Sequence, residues 1–422
     1  MKLNLFLFLA CTGLLTAQDK PHAKGKAALK ENILCFVETF TLPKTDYAML
    51  LDAPQGRSKL HENVEAAVKA GTARLDGCHL ILTQSGTHSR VEGVDELIYA
   101  THWGDADSAG FQYPEAFEMQ PLGDHFEAEP VLNEDGGALD LNQFFSRDHF
   151  QGLRLSKADT TLTGVPVAQI FQQKGQSNCR LVPGVPTLLA TLNEAPPGAI
   201  TLVFATAQVL ELAAPKVPTS KGTGTLRMTT CVISLDRMKG WELLKKHAAD
   251  GAACLAELKP LLAAKEAVQE HVSTSRTLSG QQVAFESGQI YTYGTERALK
   301  LENPSNPPVQ GVPAGREPID LESRTLGFRI NQEPKLTEDS ALVQMLMTVS
   351  CVRMTGNLKD KNWSERYSEQ PVFSNQTLST EYTQVLGGTT LAGTLNPPGD
   401  TGVNGHKDEG RIWLLFTDVN PE

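Results

Sequence analysis

The stretch LGDHFEAEPVLNED at residues 122–135 returns as LGFRINQEPKLTED at residues 326–339. Leu122-Gly123, Glu129-Pro130, Leu132 and Glu134-Asp135 thereby match Leu326-Gly327, Glu333-Pro334, Leu336 and Glu338-Asp339 at one constant offset. Upstream, Ser85-Gly86 followed by Val91-Glu92 and Ile98-Tyr99 has a counterpart in Ser279-Gly280 followed by Phe285-Glu286 and Ile290-Tyr291. Downstream, Pro166-Val167 matches Pro371-Val372, Thr187-Leu188 and Thr191-Leu192-Asn193 match Thr390-Leu391 and Thr394-Leu395-Asn396, and Leu202-Val203-Phe204 matches Leu414-Leu415-Phe416. Blocks repeated in one order are the mark of a tandem duplication. The expected units are residues 29–212 and 226–422, joined by a Pro, Lys, Thr and Gly-rich linker at 213–225.

Each copy has the same coarse layout. Leu34 to Leu42 and Met228 to Leu235 are rich in branched residues and read as opening strands. Helical spacing follows, with Leu60, Val64, Val68 and Leu75 on one face of the first copy and Leu255, Leu258, Leu261 and Leu262 in the second. The period then falls to two. Ala341, Val343, Met345, Met347, Val349 and Cys351 alternate with a partly polar set, which predicts a long strand. Asn133 to Gly137 and Glu338 to Ser340 read as the turns between strands. The expected class is α+β, dominated by sheet, with helices near the start of each copy.

The chain has 422 residues, enough for two or three domains of about 150. Its 38 Lys and Arg against 49 Asp and Glu leave a net charge of -11, which argues against nucleic acid and anionic lipid as partners. Lys2 followed by the apolar run Leu3 to Leu15 and the small residues Thr16-Ala17 reads as a secretory signal peptide, residues 1–17. A lipoprotein signal ending at Cys11 is the competing reading. No later run approaches the roughly twenty apolar residues of a membrane helix. Export leaves Cys35, Cys78, Cys179, Cys231, Cys254 and Cys351, and both disulfides and buried unpaired thiols stay open.

The block order resembles the C-terminal domain of bacterial secretins, the outer-membrane channels of type II and type III secretion and of type IV pili. Gly123 to Leu141 and Gly327 to Met347 resemble its Gly, Leu-Glu-Val-x-Pro, acidic-turn stretch. Leu386 to Leu391 partly resembles its Gly-Gly-Leu region, and Trp413 to Val419 its closing strand. The resemblance implies two secretin-like repeats and kinship with envelope secretion or pilus machinery. Departures limit it: neither Asn193 to Ala199 nor Asn396 to Gly410 carries the Gly-Asp-Ile-Pro-like lip motif, and no ring-forming modules precede the repeats. Charges on both faces of Ala138 to His149 also speak against a lipid-facing wall, so no pore is expected.

No Gly-x-Ser-x-Gly, Walker, His-Glu-x-x-His or Gly-x-Gly-x-x-Gly motif is present. Asp105 and Asp107 lack the closing Glu of a calcium loop. His61, His79, His88, His102, His125 and His149 concentrate in the first copy, against His247, His271 and His406 in the second, without ligand spacing. The expectation is an exported, non-enzymatic scaffold in the periplasm, at the outer-membrane surface or secreted. Its partners are envelope proteins, itself or a secretin among them, and it has no catalytic, cofactor or metal residues. The alternative is a ligand-binding or metal-dependent protein reusing the fold, with His79, His88 and His102 as first candidates.

Overall fold

The computed structural model describes residues 30–52, 59–104, 114–155, 166–193, 198–212, 224–299, 316–337, 341–357, 370–403 and 410–422. The signal-peptide reading, Cys11, Asp105, Asp107, Glu338 to Ser340, His406 and most of the linker lie outside them.

Along the first half run β1 (Glu31–Pro43), α1 (Lys44–Asp52), α2 (Leu60–Lys69), β2 (Arg74–Thr83), β3 (Ser89–Trp103), β4 (Pro114–Leu132), β5 (Leu139–Leu155), β6 (Pro166–Leu181), β7 (Thr187–Asn193) and β8 (Ala199–Glu211). The second half runs β9 (Thr225–Asp236), α3 (Arg237–His247), α4 (Gly251–Ala263), β10 (Ala267–Leu278), β11 (Val283–Leu299), β12 (Arg316–Leu336), β13 (Leu342–Asn357), β14 (Pro371–Val385), β15 (Thr389–Thr394) and β16 (Arg411–Pro421). The chain is a β-dominated α+β protein, and its helices follow the first strand of each half.

Two eight-stranded sheets carry the fold. The shorter strands are ordered β10-β9-β16-β15-β2-β1-β8-β7 and the longer ones β11-β12-β13-β14-β3-β4-β5-β6. Numbered from its own first strand, each half contributes the same order to both sheets. The halves therefore lie side by side, joined strand to strand at β15 with β2 and at β14 with β3.

The local chemistry accounts for the elements. In α2, Leu60, Val64 and Val68 are buried on one face. Leu75, expected on that face, instead opens β2, because the helix stops at Lys69 and Gly71 turns the chain with φ +76°. The α3 helix is capped by Asp236, whose carboxylate accepts the Lys239 N–H at 3.1 Å, and ends on Lys245, Lys246 and His247 against its negative dipole end. In α4, Cys254 and Leu258 are buried while Leu255, Leu261 and Leu262 are half-buried. The alternation of β13 puts Val343, Met345, Met347, Val349 and Cys351 into the space between the sheets. One apolar cluster draws on both halves and runs from that space, with Phe145 and Trp413, to the helix side of the short sheet, with Phe40 and Trp241. The six cysteines among the described residues are unbridged.

The repeated motif has a hydrogen-bond cause. Gly86 N–H donates to the Pro130 carbonyl at 2.8 Å and Leu132 N–H to the Ser85 hydroxyl at 2.9 Å. Gly280 and Leu336 do the same with Pro334 and Ser279, at 2.7 and 2.9 Å. Ser-Gly and Glu-Pro-x-Leu are thus two sides of one turn-to-strand clasp, made twice. Tyr99 and Tyr291, by contrast, are not equivalent. Tyr99 faces Glu118, and it is Tyr293 that faces Glu322 at the matching place.

At Gly123 and Gly327 the long sheet divides. β4 pairs with β5 only from Gly123 onward, and β12 with β13 only from Gly327 onward; before those points β4 stays with β3 and β12 with β11. Both glycines hold positive φ, +128° and +140°, and a Cβ would come within 2.4 Å of the Gly93 carbonyl oxygen or 2.1 Å of that of Ser287. The β11–β12 arm then crosses to β4, where Glu296 pairs with Ala116.

Candidate interaction surface

The join between the halves is built from residues far apart in sequence. Asn32 of β1 clamps β14: its side-chain amide donates to the Thr383 carbonyl at 2.6 Å and accepts the Thr383 N–H at 2.9 Å. Leu80 N–H donates to the Thr394 hydroxyl at 3.0 Å. Glu38, 2% exposed, accepts the Trp241 indole N–H at 2.5 Å and faces His61 at 2.7 Å. His61 also lies 3.6 Å from Glu65, which takes the Lys245 ammonium. On the long sheet Glu96 accepts from Arg324 and, at 3.1 Å, from Asn375. Burial pushes the Glu96 carboxyl up, and Arg324 and Asn375 only partly offset it.

The same edges recur at the flanks without these groups. β10 and β11 are outermost at one flank, and β7 and β6 at the other. Counted from the shared Ser-Gly turn, Gln84 and Glu96 of the join correspond to Leu278 and Ile290, which are 55% and 70% exposed. Val268 and Val272 on β10 are also exposed, as are Val167, Val182 and Val185 at the opposite flank. Edge strands are normally blunted by charge or proline. These carry charges, such as Arg276, Glu286 and Lys174, and exposed aliphatics beside them.

A groove of about 430 Å³ opens on the long sheet where β12 leaves β13. Gly327 and Val352 line it together with the charged side chains of Arg90, Glu92, Glu286, Arg324 and Arg329.

Among the described residues the histidines are spread over separate places, His88 and His125 alone sharing a partner, Glu127. His79 is buried in β2 with Nδ1 3.3 Å from the Asn396 amide and Nε2 3.6 Å from Asp124. Burial pushes the Asp124 carboxyl up, but the Arg147 guanidinium, at 2.6 and 2.9 Å, and the His79 contact outweigh it and hold the group well below the usual range. His125 stands between Glu92 at 3.2 Å and Glu127 at 2.8 Å. Burial pushes its imidazole down; the two carboxylates win and raise it. His88 touches Glu127, His102 touches Glu115, His149 reaches the Asp400 carbonyl, His247 touches Glu257 and His271 stacks on Phe328. Among the described residues the side chains that draw together as a metal-ligating set are Glu38, His61 and Glu65; His61 and Glu65 stand i, i+4 on α2, and the third member, Glu38, comes from β1. Trp241 and Lys245 already engage its carboxylates. Burial also pushes the Cys35 and Cys254 thiols up to about 12, and Cys78 higher, so these are packing groups and not thiolate nucleophiles.

No family model matches the chain, and no curated protein matches it. Among solved structures it is similar to secretin domains. The Klebsiella pneumoniae type II secretion system outer membrane complex matches at 10% identity over 43% of this chain and 40% of that one, with a TM-score of 0.21. The type II secretin GspD of E. coli K12 matches at 13% over 43% and 49%, TM-score 0.19. The Salmonella SPI-1 type III injectisome secretin InvG matches at 10% over 56% and 74%, TM-score 0.22. The chain spans less than half the length of the first two.

Proposed function

We propose that the protein is an exported, non-enzymatic scaffold of the cell envelope, kin to secretion or pilus machinery, built from two copies of one unit, residues 29–212 and 226–422. Its docking elements are the two flanks of the paired sheets. The observation that carries this reading is the join itself: β15 and β14 meet β2 and β3, while the position-matched β7 and β6 and the position-matched β10 and β11 lie outermost.

A partner that presents the same pair of edges extends both sheets at once, and a second copy is the simplest such partner. The contact is head to tail, because the two flanks differ, and such contacts give open chains or closed rings. The exposed Val268, Val272, Leu278 and Ile290 supply apolar area at roughly 25 cal/mol per Å² buried. A lipid-facing pore is not part of the proposal. On the face of β5 that bears Asp140 and Asn142 these two side chains are partly and fully exposed, and charge there is costly in a bilayer.

Sedimentation velocity on the mature chain, expressed from Gln18 without detergent, tests the reading. Species growing with concentration, and reduced by Val272→Lys, are expected. A monomer at every concentration overturns edge docking, and a requirement for detergent overturns the soluble scaffold.

A further inference from the structure

On the short sheet the join between the halves is tied by two side chains of one repeated block. The hydroxyl of Thr394, at the end of β15, accepts the Leu80 N–H at 3.0 Å, and the Asn396 side-chain amide donates to the Cys78 carbonyl at 2.5 Å. Thr191-Leu192-Asn193 is the first-half copy of Thr394-Leu395-Asn396, and it closes β7, the outermost short strand at one flank. Thr191 and Asn193 are exposed there. Counted from the shared Ser-Gly turn, Leu80 and Cys78 on β2 match Thr274 and Val272 on β10, which are exposed at the other flank. The register of β10 on β9 repeats that of β2 on β1, so the Thr274 N–H and the Val272 carbonyl point to the open edge as those of Leu80 and Cys78 point to β15.

The long sheet adds a pair of opposite charges. At the join Thr377 of β14 faces Glu92 of β3, and Phe373 faces Glu96. Asp148 faces Gly123 and Gln172 as Val352 faces Gly327 and Asn375, so Lys174 on β6 holds the place of Thr377, and Ile170 that of Phe373. Val94 faces Gly123 as Gly288 faces Gly327, so Glu286 and Ile290 on β11 hold the places of Glu92 and Glu96. The register of the join, carried to the two flanks, therefore sets Lys174 opposite Glu286 and Ile170 opposite Ile290. Lys174, Glu286 and Ile290 are all exposed. Opposite charges facing each other across an antiparallel pair stabilise it, and like charges there oppose it.

We propose that Thr191, Asn193 and Lys174 on one flank are the residues that recognise the opposite flank of a second copy, through its Thr274 N–H, its Val272 carbonyl and its Glu286 carboxylate. Backbone pairing at an open edge is indifferent to sequence, so these side chains supply the choice of partner. They also set the register: a slip of one residue on the long sheet turns Lys174 away from Glu286. This contact presupposes edge docking and gives it one alignment.

Charge reversal tests the alignment, with the mature chain followed by sedimentation velocity. Lys174→Glu alone and Glu286→Lys alone each set like charges against one another, and each is expected to weaken self-association about fivefold. An equimolar mixture of the two variants is expected to regain the affinity of the natural chain, because every contact between unlike chains joins opposite charges. Melting temperatures check that the fold is kept, since Glu286 also faces Arg329 in its own chain and Lys174 lies near Asp148. Should a reversal unfold, Thr191→Val and Asn193→Ala carry the test, each expected to weaken association about threefold with melting unchanged. Association indifferent to these substitutions, or a mixture no tighter than its separate variants, overturns the alignment and leaves edge docking standing. A natural chain that stays monomeric overturns both.

Discussion

The indole N–H of Trp241, on α3 of the second half, donates at 2.5 Å to the carboxylate of Glu38, on β1 of the first. Both side chains are buried, so the bond cannot be replaced by water. Trp241→Phe keeps an aromatic ring beside Phe40 and removes the donor. A loss of about 1–3 kcal/mol in urea unfolding is expected. Lys245→Ala, which removes the half-exposed partner of Glu65, is expected to cost under about 1 kcal/mol.

The Ser-Gly clasp is made in both halves, and its removal is expected to cost alike in both. Ser85→Ala and Ser279→Ala each strand one backbone N–H, that of Leu132 or Leu336, at about 0.5–1.5 kcal/mol. Gly86→Ala and Gly280→Ala force a Cβ into the left-handed region, φ +70° and +75°, at about 1–2 kcal/mol. Chemical denaturation of the four variants checks the pairing.

Arg147 is the counter-charge of Asp124 between the sheets, where their side chains are 16% and 13% exposed. Arg147→Met leaves that carboxylate with only the 3.6 Å His79 contact, and a loss of about 3–5 kcal/mol is expected. Arg147→Met with Asp124→Asn is expected to recover much of it. Thermal unfolding of single and double variants reads the difference.

His125 makes stability depend on pH. Its raised imidazole contributes fully below about 6.5 and loses the contribution as pH rises through its folded value. Burial pushes Glu92 and Glu127 up, but their partners lower both, so their share is present above about 4.3 and lost on acidification. The melting temperature of the natural chain should therefore exceed that of His125→Gln most between about pH 5 and 6, and the gap should close toward pH 8. A gap that widens toward pH 8 contradicts the assignment.

What could be read from sequence was what short-range pattern carries. The strands at Glu31–Pro43 and Leu342–Asn357 and the face of α2 follow from local periodicity, and the Ser-Gly and Glu-Pro blocks recur because one clasp binds them. Leu75 misled because a helical interval continued past a helix that Gly71 had already ended. The join was illegible: Asn32 with Thr383, or Trp241 with Glu38, are contacts between residues with no shared pattern. The Glu38, His61 and Glu65 trio was hidden likewise, since one carboxylate comes from a strand and two groups from a helix. Ile98-Tyr99 and Ile290-Tyr291 look alike in sequence, yet strand register sets them two positions apart.

Cross-linking tests edge docking most directly. At the join Gly393 faces Ile81; their position-matched residues at the flanks are Ala190 on β7 and Ser275 on β10, fixed by the pairs Ala190 with Val203 and Ser275 with Met228. Ala190→Cys and Ser275→Cys chains, mixed and oxidised, are expected to give a disulfide-linked dimer containing one chain of each kind, since facing strand residues lie within about 4.4–6.8 Å. Each variant alone should stay monomeric on a non-reducing gel. A mixture with no heterodimer, or a dimer formed as readily by either variant alone, would contradict head-to-tail assembly through the two flanks.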